Sequence, residues 1–339
     1  MEEKVETILE FIEEVKDKKV RIVMHASPDP DAVGSAMGLR SILKQKGIET
    51  SMAYSGEISH PQNKTIVNIL SIPIAKNPTK NGHIDVCVDC TERNSIAEEP
   101  MMVIDHHRLD SEAKYKIIDP TYGACSTIVW EIIKELELID KNEIDTYTAL
   151  LLGIRTDTND LISETMSHGD FIAYQDLLEL SDKDKLQKAM NYPLPRYLYN
   201  KRMVLHEEGN SQEANGVFIG GIGFIPDEQR DVIAILAEEY TRMESVQTAV
   251  VFAITGKKNL EVSVRTHLVS LDVNQMMQDL FGEFGGGKSN AGGAKIPLNF
   301  YIDLDEKSAD QFWKVTRKHM FRNVLKENWN NGDEIGDEE

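Results

Sequence analysis

The stretch His25-Ala26-Ser27-Pro28-Asp29-Pro30-Asp31 constrains this chain more than any other. It follows the apolar run 20–24, which reads as a buried strand. Residues 32–39 after it have the small-and-apolar spacing of a helix packed on that strand. Pro28 and Pro30 hold the turn extended and deny it helix. One imidazole and two carboxylates therefore crowd the carboxyl end of a strand, where open α/β sheets place their binding crevices. This ligand set suits a hard-to-borderline divalent ion such as manganese or zinc. A plain polar turn, with Asp31 or Ser35 capping the helix, would use the same residues. The rest of the chain has to decide between the two.

An amphipathic helix is expected over 4–17 and a strand over 20–25, then a helix to Lys46 that Gly47 ends. A strand over 48–54, a helix near 63–70 and a loop over 72–83 follow. The apolar strand 84–89 ends in Asp89, and another, 101–104, runs into Asp105-His106-His107. Helices over 124–138 and 143–155 lead to Arg155-Thr156-Asp157-Thr158, and further helices over 167–190 complete a first domain. Short apolar strands alternating with helices argue for a parallel sheet with right-handed crossovers. Asn191-Tyr192-Pro193-Leu194-Pro195 opens a linker, 191–215, partly helical over 199–206. A smaller α/β domain around a mixed sheet occupies 216–326: strands over 217–222, 246–254, 260–265 and 295–301, helices over 228–239, 273–281 and 309–326, and a glycine loop before the last strand. Residues 327–339 read as an acidic disordered tail.

A length of 339 residues suits two such domains. The net charge of -20 disfavours long nucleic acid, whose affinity comes from neutralising many phosphates, but leaves short phosphorylated ligands open. No apolar run reaches the length of a membrane span, and the N-terminus lacks the pattern of a secretion signal, so a soluble cytoplasmic protein is expected. Cys87, Cys90 and Cys125 are odd in number without framework spacing, which argues against disulfides. Cys87-Val88-Asp89-Cys90 lies in an apolar strand with no second pair, so its C-x-x-C spacing speaks weakly for zinc.

Four acid-and-imidazole clusters now stand at strand ends or in loops beside them: His25 with Asp29 and Asp31, then Asp89, then Asp105-His106-His107, then Asp157. Capping alone seldom produces such a series. A two-ion centre requires it, with carboxylates to bridge and imidazoles to complete each shell.

With these motifs, His25-x-x-x-Asp29-x-Asp31 followed by Gly34-Ser35, Asp89, Asp105-His106-His107 and Gly153-Ile154-Arg155-Thr156-Asp157-Thr158, the chain resembles the DHH phosphoesterase superfamily. Its second half is similar to that family's associated substrate domain, whose glycine loop is matched by Gly285-Gly286-Gly287-Lys288-Ser289-Asn290-Ala291-Gly292-Gly293. The resemblance spans about residues 18–300. It implies that His25 and Asp29 hold one ion, that Asp31, His106 and Asp157 hold the other, and that Asp89 bridges them. It further implies manganese, a trapped water converted to hydroxide for in-line attack on phosphorus, Asp105 orienting the histidine pair, and His107 facing the substrate phosphate. Arg265, Gly286, Gly287, Lys288 and Asn290 would bind substrate, and the active site would lie in the cleft between the domains. Relatives commonly carry histidine where Lys288 stands, and glycine where Asn159 follows the Asp-Thr pair beside Arg155. Similarity to nanoRNase and phosphoadenosine-phosphate phosphatase proteins implies short substrates: nanoRNA, linear dinucleotides such as pApA, or 3′-phosphoadenosine 5′-phosphate. A homodimer is usual among such relatives. A cyclic dinucleotide phosphodiesterase, a RecJ-like exonuclease and a family II pyrophosphatase share the centre, and a non-catalytic phosphoryl-ligand sensor is the rival from another class. The acidic balance counts against the exonuclease, and the shortage of Lys and Arg in the second domain against the pyrophosphatase.

Overall fold

The computed structural model describes residues 1–80, 82–108, 110–287, 290–298 and 305–326, and the chain divides into two units, Met1–Pro193 and Leu194–Glu339. In the first unit an amphipathic helix, α1 (Glu2–Val15), buries Ile8, Phe11 and Val15 and precedes β1 (Val20–Val23). Then come α2 (Pro30–Gln45), β2 (Thr50–Tyr54), α3 (Pro61–Ile69), β3 (Ile74–Lys76), β4 (Ile84–Val88), β5 (Met102–Asp105) and β6 (Tyr115–Ile118). Four helices close the unit: α4 (Cys125–Glu135), α5 (Ile144–Asp157), α6 (His168–Leu180) and α7 (Lys183–Met190).

All six strands are parallel, in the order β3-β2-β1-β4-β5-β6. The winding direction reverses between β1 and β4, and at such a switch point a crevice opens beyond the carboxyl ends of the strands. Alternation along β1 and β4 sends Ile22, Val86 and Val88 into the main core with α2, α4 and α5, and Val23 and Cys87 into a smaller cluster with Ala53, Cys90 and Val103 on the other face. All three cysteines are buried and free, so they pack as small apolar side chains.

The second unit begins with α8 (Arg196–His206) and β7 (Ser211–Ala214), followed by β8 (Val217–Ile225), α9 (Asp231–Tyr240), β9 (Thr248–Thr255) and β10 (Asn259–Thr266). Next are α10 (Val273–Phe281), β11 (Gly285–Gly287), β12 (Ala291–Pro297) and α11 (Glu306–Lys326). Its mixed sheet runs β11-β12-β10-β9-β8-β7, with β8 and β9 parallel and the other pairs antiparallel. Leu260, Val262 and Val264 join α10 and α11 in one core, while Phe218, Val251 and Ala253 join α8 and α9 in another.

Several expectations change in detail. The 72–83 stretch contains β3, and β6 was not foreseen; both are short, and β3 carries two exposed residues of three. The 191–215 stretch holds α8 and β7: Leu198 and Leu205, seven apart on one helix face, are fully buried in the second unit. The glycine loop is a β-hairpin, and its second strand starts at Ala291 rather than 295. Lys288, the strand end at 301 and the acidic tail lie outside the described residues. No helix among the described residues is long and apolar enough to cross a membrane.

Candidate metal centre

Beyond β1 the chain turns through Ser27, whose φ of 61° is stabilised by its hydroxyl accepting the Glu57 amide. Asp29, rather than Asp31 or Ser35, then caps α2, its Oδ1 accepting from the Asp31 and Ala32 amides at 3.1 and 3.0 Å. That frees Asp31 for a different task. Its fully buried carboxylate accepts the Cys125 amide through Oδ2 at 2.7 Å and the Ser126 amide through Oδ1 at 2.9 Å. These are the first amides of α4, so an acid occupies the positive end of that helix and no room remains there for a phosphate. Gly153 of α5 permits this convergence, since a Cβ there would lie 2.3 Å from Ser126 Oγ and 2.8 Å from Asp31 Oδ1.

Asp89 follows β4 in the left-handed region, φ 54°, with its amide donated to Ile104 O. Its two oxygens diverge: Oδ2 lies 3.7 Å from His25 Nε2, and Oδ1 lies 3.5 Å from His106 Nε2. Asp105, at the end of β5 and fully buried, accepts the His106 and His107 amides and His107 Nδ1 on one oxygen. This fixes a proton on His107 Nδ1 and turns Nε2 outward. His106 Nδ1 donates to the Tyr122 carbonyl at 3.2 Å, leaving Nε2 to face Asp157 Oδ2 at 3.4 Å and Asp31 Oδ2 at 3.8 Å.

Two triads result, each with ligand atoms within 4.8 Å of one another: His25, Asp29 and Asp89, then Asp31, His106 and Asp157. His107 joins a third group with Asp89 and His106. Separations of 3.4–3.8 Å are longer than a well-formed hydrogen bond, and oxygens and nitrogens sharing one cation about 2.0–2.2 Å away stand at roughly such spacings. Asp89 Oδ1 and His106 Nε2 are buried without a hydrogen-bond partner among the described residues, a costly state that a shared cation relieves. The residues fit two divalent ions.

The electrostatics agree. Burial, reinforced by the charge on Asp157, pushes the Asp31 carboxyl up to about 7, and burial pushes Asp89 well above the carboxylate range. Burial would depress both imidazoles, but Asp29 raises His25 to about 9, and Asp157 with Asp89 raises His106 to about 11. Burial would raise Asp105 too, yet the hydrogen bond and charge of His107 hold it below its usual value.

Every predicted ligand thus gathers at one place, while the predicted substrate residues stand in the second unit. Arg265 donates to Ser263 Oγ and Val264 O and lies 3.6 Å from Glu238 of α9. Gly285 and Gly287 are extended, not left-handed; a Cβ on Gly285 would meet Met277 O at 2.1 Å, so close packing on α10 requires glycine there. Gly287 donates its amide to Asn274 Oδ1, a Cβ on Gly286 would meet that same oxygen at an ordinary 3.6 Å, and Asn290 accepts the Thr266 amide through its carbonyl. Sequence reading missed Tyr122 and Cys125 and weighed Ser126 only as a helix cap or phosphate contact; all three act here through backbone groups that carry no residue signature. It missed Asp170 as well. This buried acid accepts the Gly123 amide at 2.8 Å and so steadies the turn that holds His106.

Comparison with known proteins extends to both units. Residues 19–154 match the family described as DHH family, N-terminal domain, and residues 221–315 match the DHHA1 domain. An uncharacterized protein of Methanocaldococcus jannaschii is 31% identical over 317 residues, 89% of this chain, and the chain spans 63% of that relative's length. A probable manganese-dependent inorganic pyrophosphatase of Streptococcus mutans is 28% identical over 185 residues, 49% of this chain and 56% of its own. A cyclic-di-AMP phosphodiesterase of Listeria monocytogenes is 25% identical over 300 residues, 80% of this chain and 44% of its own. Among solved structures, an exopolyphosphatase-related protein from Bacteroides fragilis shares the fold, with a TM-score of 0.64 at 16% identity over 96% of this chain and 98% of that one.

Proposed function

The chain belongs to the DHH family, and we propose that it is a metal-dependent phosphoesterase hydrolysing short phosphorylated nucleotides: nanoRNA, linear dinucleotides such as pApA, or 3′-phosphoadenosine 5′-phosphate. The observation that carries this reading is the pair of neighbouring triads, with Asp89 a member of the first and its Oδ1 3.5 Å from His106 Nε2 of the second. His25 and Asp29 would hold one ion, Asp31, His106 and Asp157 the other, and Asp89 both. Manganese is supported by the mixed carboxylate and imidazole donors and by the relative whose name states manganese dependence. Such ions would supply positive charge against the phosphoryl oxygens and activate a water. The chain's own part is positioning. Asp105 holds His107 by Nδ1, so that a proton on Nε2 stabilises charge developing on the phosphate or passes to the leaving oxygen.

The choice of a nucleotide over pyrophosphate is supported by extent. The phosphodiesterase match covers 80% of the chain, more than the first unit contains, whereas the pyrophosphatase match covers 49%. The same observation favours a second reading, hydrolysis of cyclic dinucleotides. Arg265 and the glycine hairpin remain the proposed substrate contacts of the second unit, and the assembly is proposed to be a homodimer.

The test is hydrolysis of bis(p-nitrophenyl) phosphate with manganese, then a panel of pApA, short RNAs, cyclic dinucleotides, pyrophosphate and phosphoadenosine phosphate. Asp89→Ala is expected to abolish turnover, a loss above about a thousandfold, because both ions lose a ligand. Surviving activity in that variant refutes the shared centre. Wild-type protein that hydrolyses nothing, yet melts higher with nucleotide, is a sensor rather than an enzyme.

A further inference from the structure

The last turn of α5 carries more than Asp157. Asn159, Asp160 and Leu161 all lie in the left-handed region, with φ of 47°, 58° and 67°. The Asp160 amide donates to Arg155 O and the Asn159 amide to Thr156 O, a closing motif in which Asn159 takes the place usually given to glycine. Across this turn Arg155 Nε pairs with Asp160 Oδ1. The ion pair uses only that edge of the guanidinium: Nη1 and Nη2 have no protein partner among the described residues, and neither has the Asn159 carboxamide.

These groups face a pocket of about 240 Å³ lined by Gln62, Leu152, Arg155, Thr156, Asn159 and Asp160. Its walls both attach to the metal centre. On one side Asn63, beside Gln62 in the first turn of α3, donates to Pro28 O inside the ligand turn at 3.2 Å. On the other side α5 ends on the ligand Asp157. At about 100° per residue, Arg155 points to a different side of α5 from Asp157, and Asn159, left-handed just beyond the helix end, lines the same pocket as Arg155. A group held in this pocket would therefore lie between the element that braces the ligand turn and the helix that ends on Asp157, off the triads themselves. Asp160 neutralises Arg155, so the pocket offers a guanidinium fork and a carboxamide without net positive charge. That set suits an uncharged ring edge rich in acceptors better than a phosphate, and the same two side chains are the common readers of purine edges.

We infer that this pocket receives a purine base of the substrate, with Arg155 and Asn159 reading its edge. The assignment rests on the phosphoesterase reading and names its specificity. It is tested by steady-state kinetics of Arg155→Ala, Arg155→Lys and Asn159→Gly on pApA, on ApA without its terminal phosphate, and on bis(p-nitrophenyl) phosphate, which has no base. Asn159→Gly keeps the left-handed turn while removing the carboxamide. Arg155→Ala is expected to raise KM about tenfold or more for both dinucleotides, with kcat, manganese affinity and bis(p-nitrophenyl) phosphate turnover unchanged. Arg155→Lys, lacking the fork, should recover little of this. A KM effect confined to pApA would make the pocket a phosphate subsite and overturn the assignment. Equal loss on all three substrates, or no change on either dinucleotide, would overturn it as well. Absence of turnover in the wild type would instead refute the phosphoesterase reading itself.

Discussion

Gly153→Ala probes how tightly the second ion site is built. In the middle of a helix this change normally stabilises, by about 1 kcal/mol in propensity. Here the new methyl would lie 2.3 Å from Ser126 Oγ, 2.8 Å from Asp31 Oδ1 and 2.9 Å from Asp31 Cα. The serine hydroxyl can rotate away, but the Cα cannot. Restoring an ordinary carbon–carbon contact of roughly 3.5 Å would move α2 and α5 apart by about 0.6 Å. Overpacking of this kind costs about 1–3 kcal/mol, so the net effect is a loss of about 0–2 kcal/mol, readable by urea unfolding. The larger effect falls on Asp31, whose carboxylate must stay on the α4 amides while facing His106. Displacements near 0.5 Å are enough to spoil such a constellation, and manganese affinity at this site should fall about 10–100-fold in a titration monitored by the signal of free manganese. Gly38→Ala is the control. Its methyl would meet Val129 Cγ1 at 2.5 Å and Leu150 Cδ2 at 3.1 Å, away from the ligands, so it should cost stability without changing manganese affinity. A Gly153→Ala protein that gains about 1 kcal/mol and binds two ions normally would refute the packing account.

Two further outcomes follow from the centre's charge. Without metal, His25 and His106, raised to about 9 and about 11, hold protons at pH 7, and Asp31 at about 7 is partly protonated. Ligation requires the deprotonated forms, so manganese binding must expel protons and its affinity must rise between pH 6 and pH 8; an indicator dye in weak buffer that records no release refutes this. Asp105→Asn should lower kcat about 10–100-fold while leaving both ions bound, because the neutral amide holds His107 Nδ1 less firmly and Asp105 is not a ligand. Unchanged kcat would remove Asp105 from any positioning role.

The proposed ligands were legible because each is a titratable side chain placed at or just beyond an apolar strand, or at the end of an apolar helix, and no structural need explains that repetition. Their division of labour was not legible. Asp29 and Asp31 look alike in sequence, yet one caps its own helix and the other caps the start of α4, ninety-odd positions downstream. The backbone donors that anchor Asp31 and the Tyr122 carbonyl that orients His106 belong to residues whose side chains have other tasks. Short strands escaped for a related reason: β7 exposes two of its four residues and shows no apolar run, and its register on β8 supplies what its composition does not. The hairpin glycines read as a loop because glycine usually marks flexibility, whereas here the missing side chain lets β11 lie directly on α10.

Asp31, Asp89 and Asp105 are all buried acids, and burial opposes the charge of each. Protein groups compensate one by both oxygens and another by one: α4 amides for Asp31, and two amides with an imidazole on Oδ1 of Asp105, whose Oδ2 has no partner among the described residues. Asp89 accepts no hydrogen bond among the described residues, and its Oδ1 stands unpartnered between His106 and His107. It belongs to the first triad and reaches toward His106 of the second, from a backbone held in the left-handed region. A protein stabilised by its own contacts alone would gain by replacing such a residue with an apolar one. The acid left without an internal partner is the one that two external cations would share, so the cost of burying Asp89 is intelligible only as part of a dinuclear site.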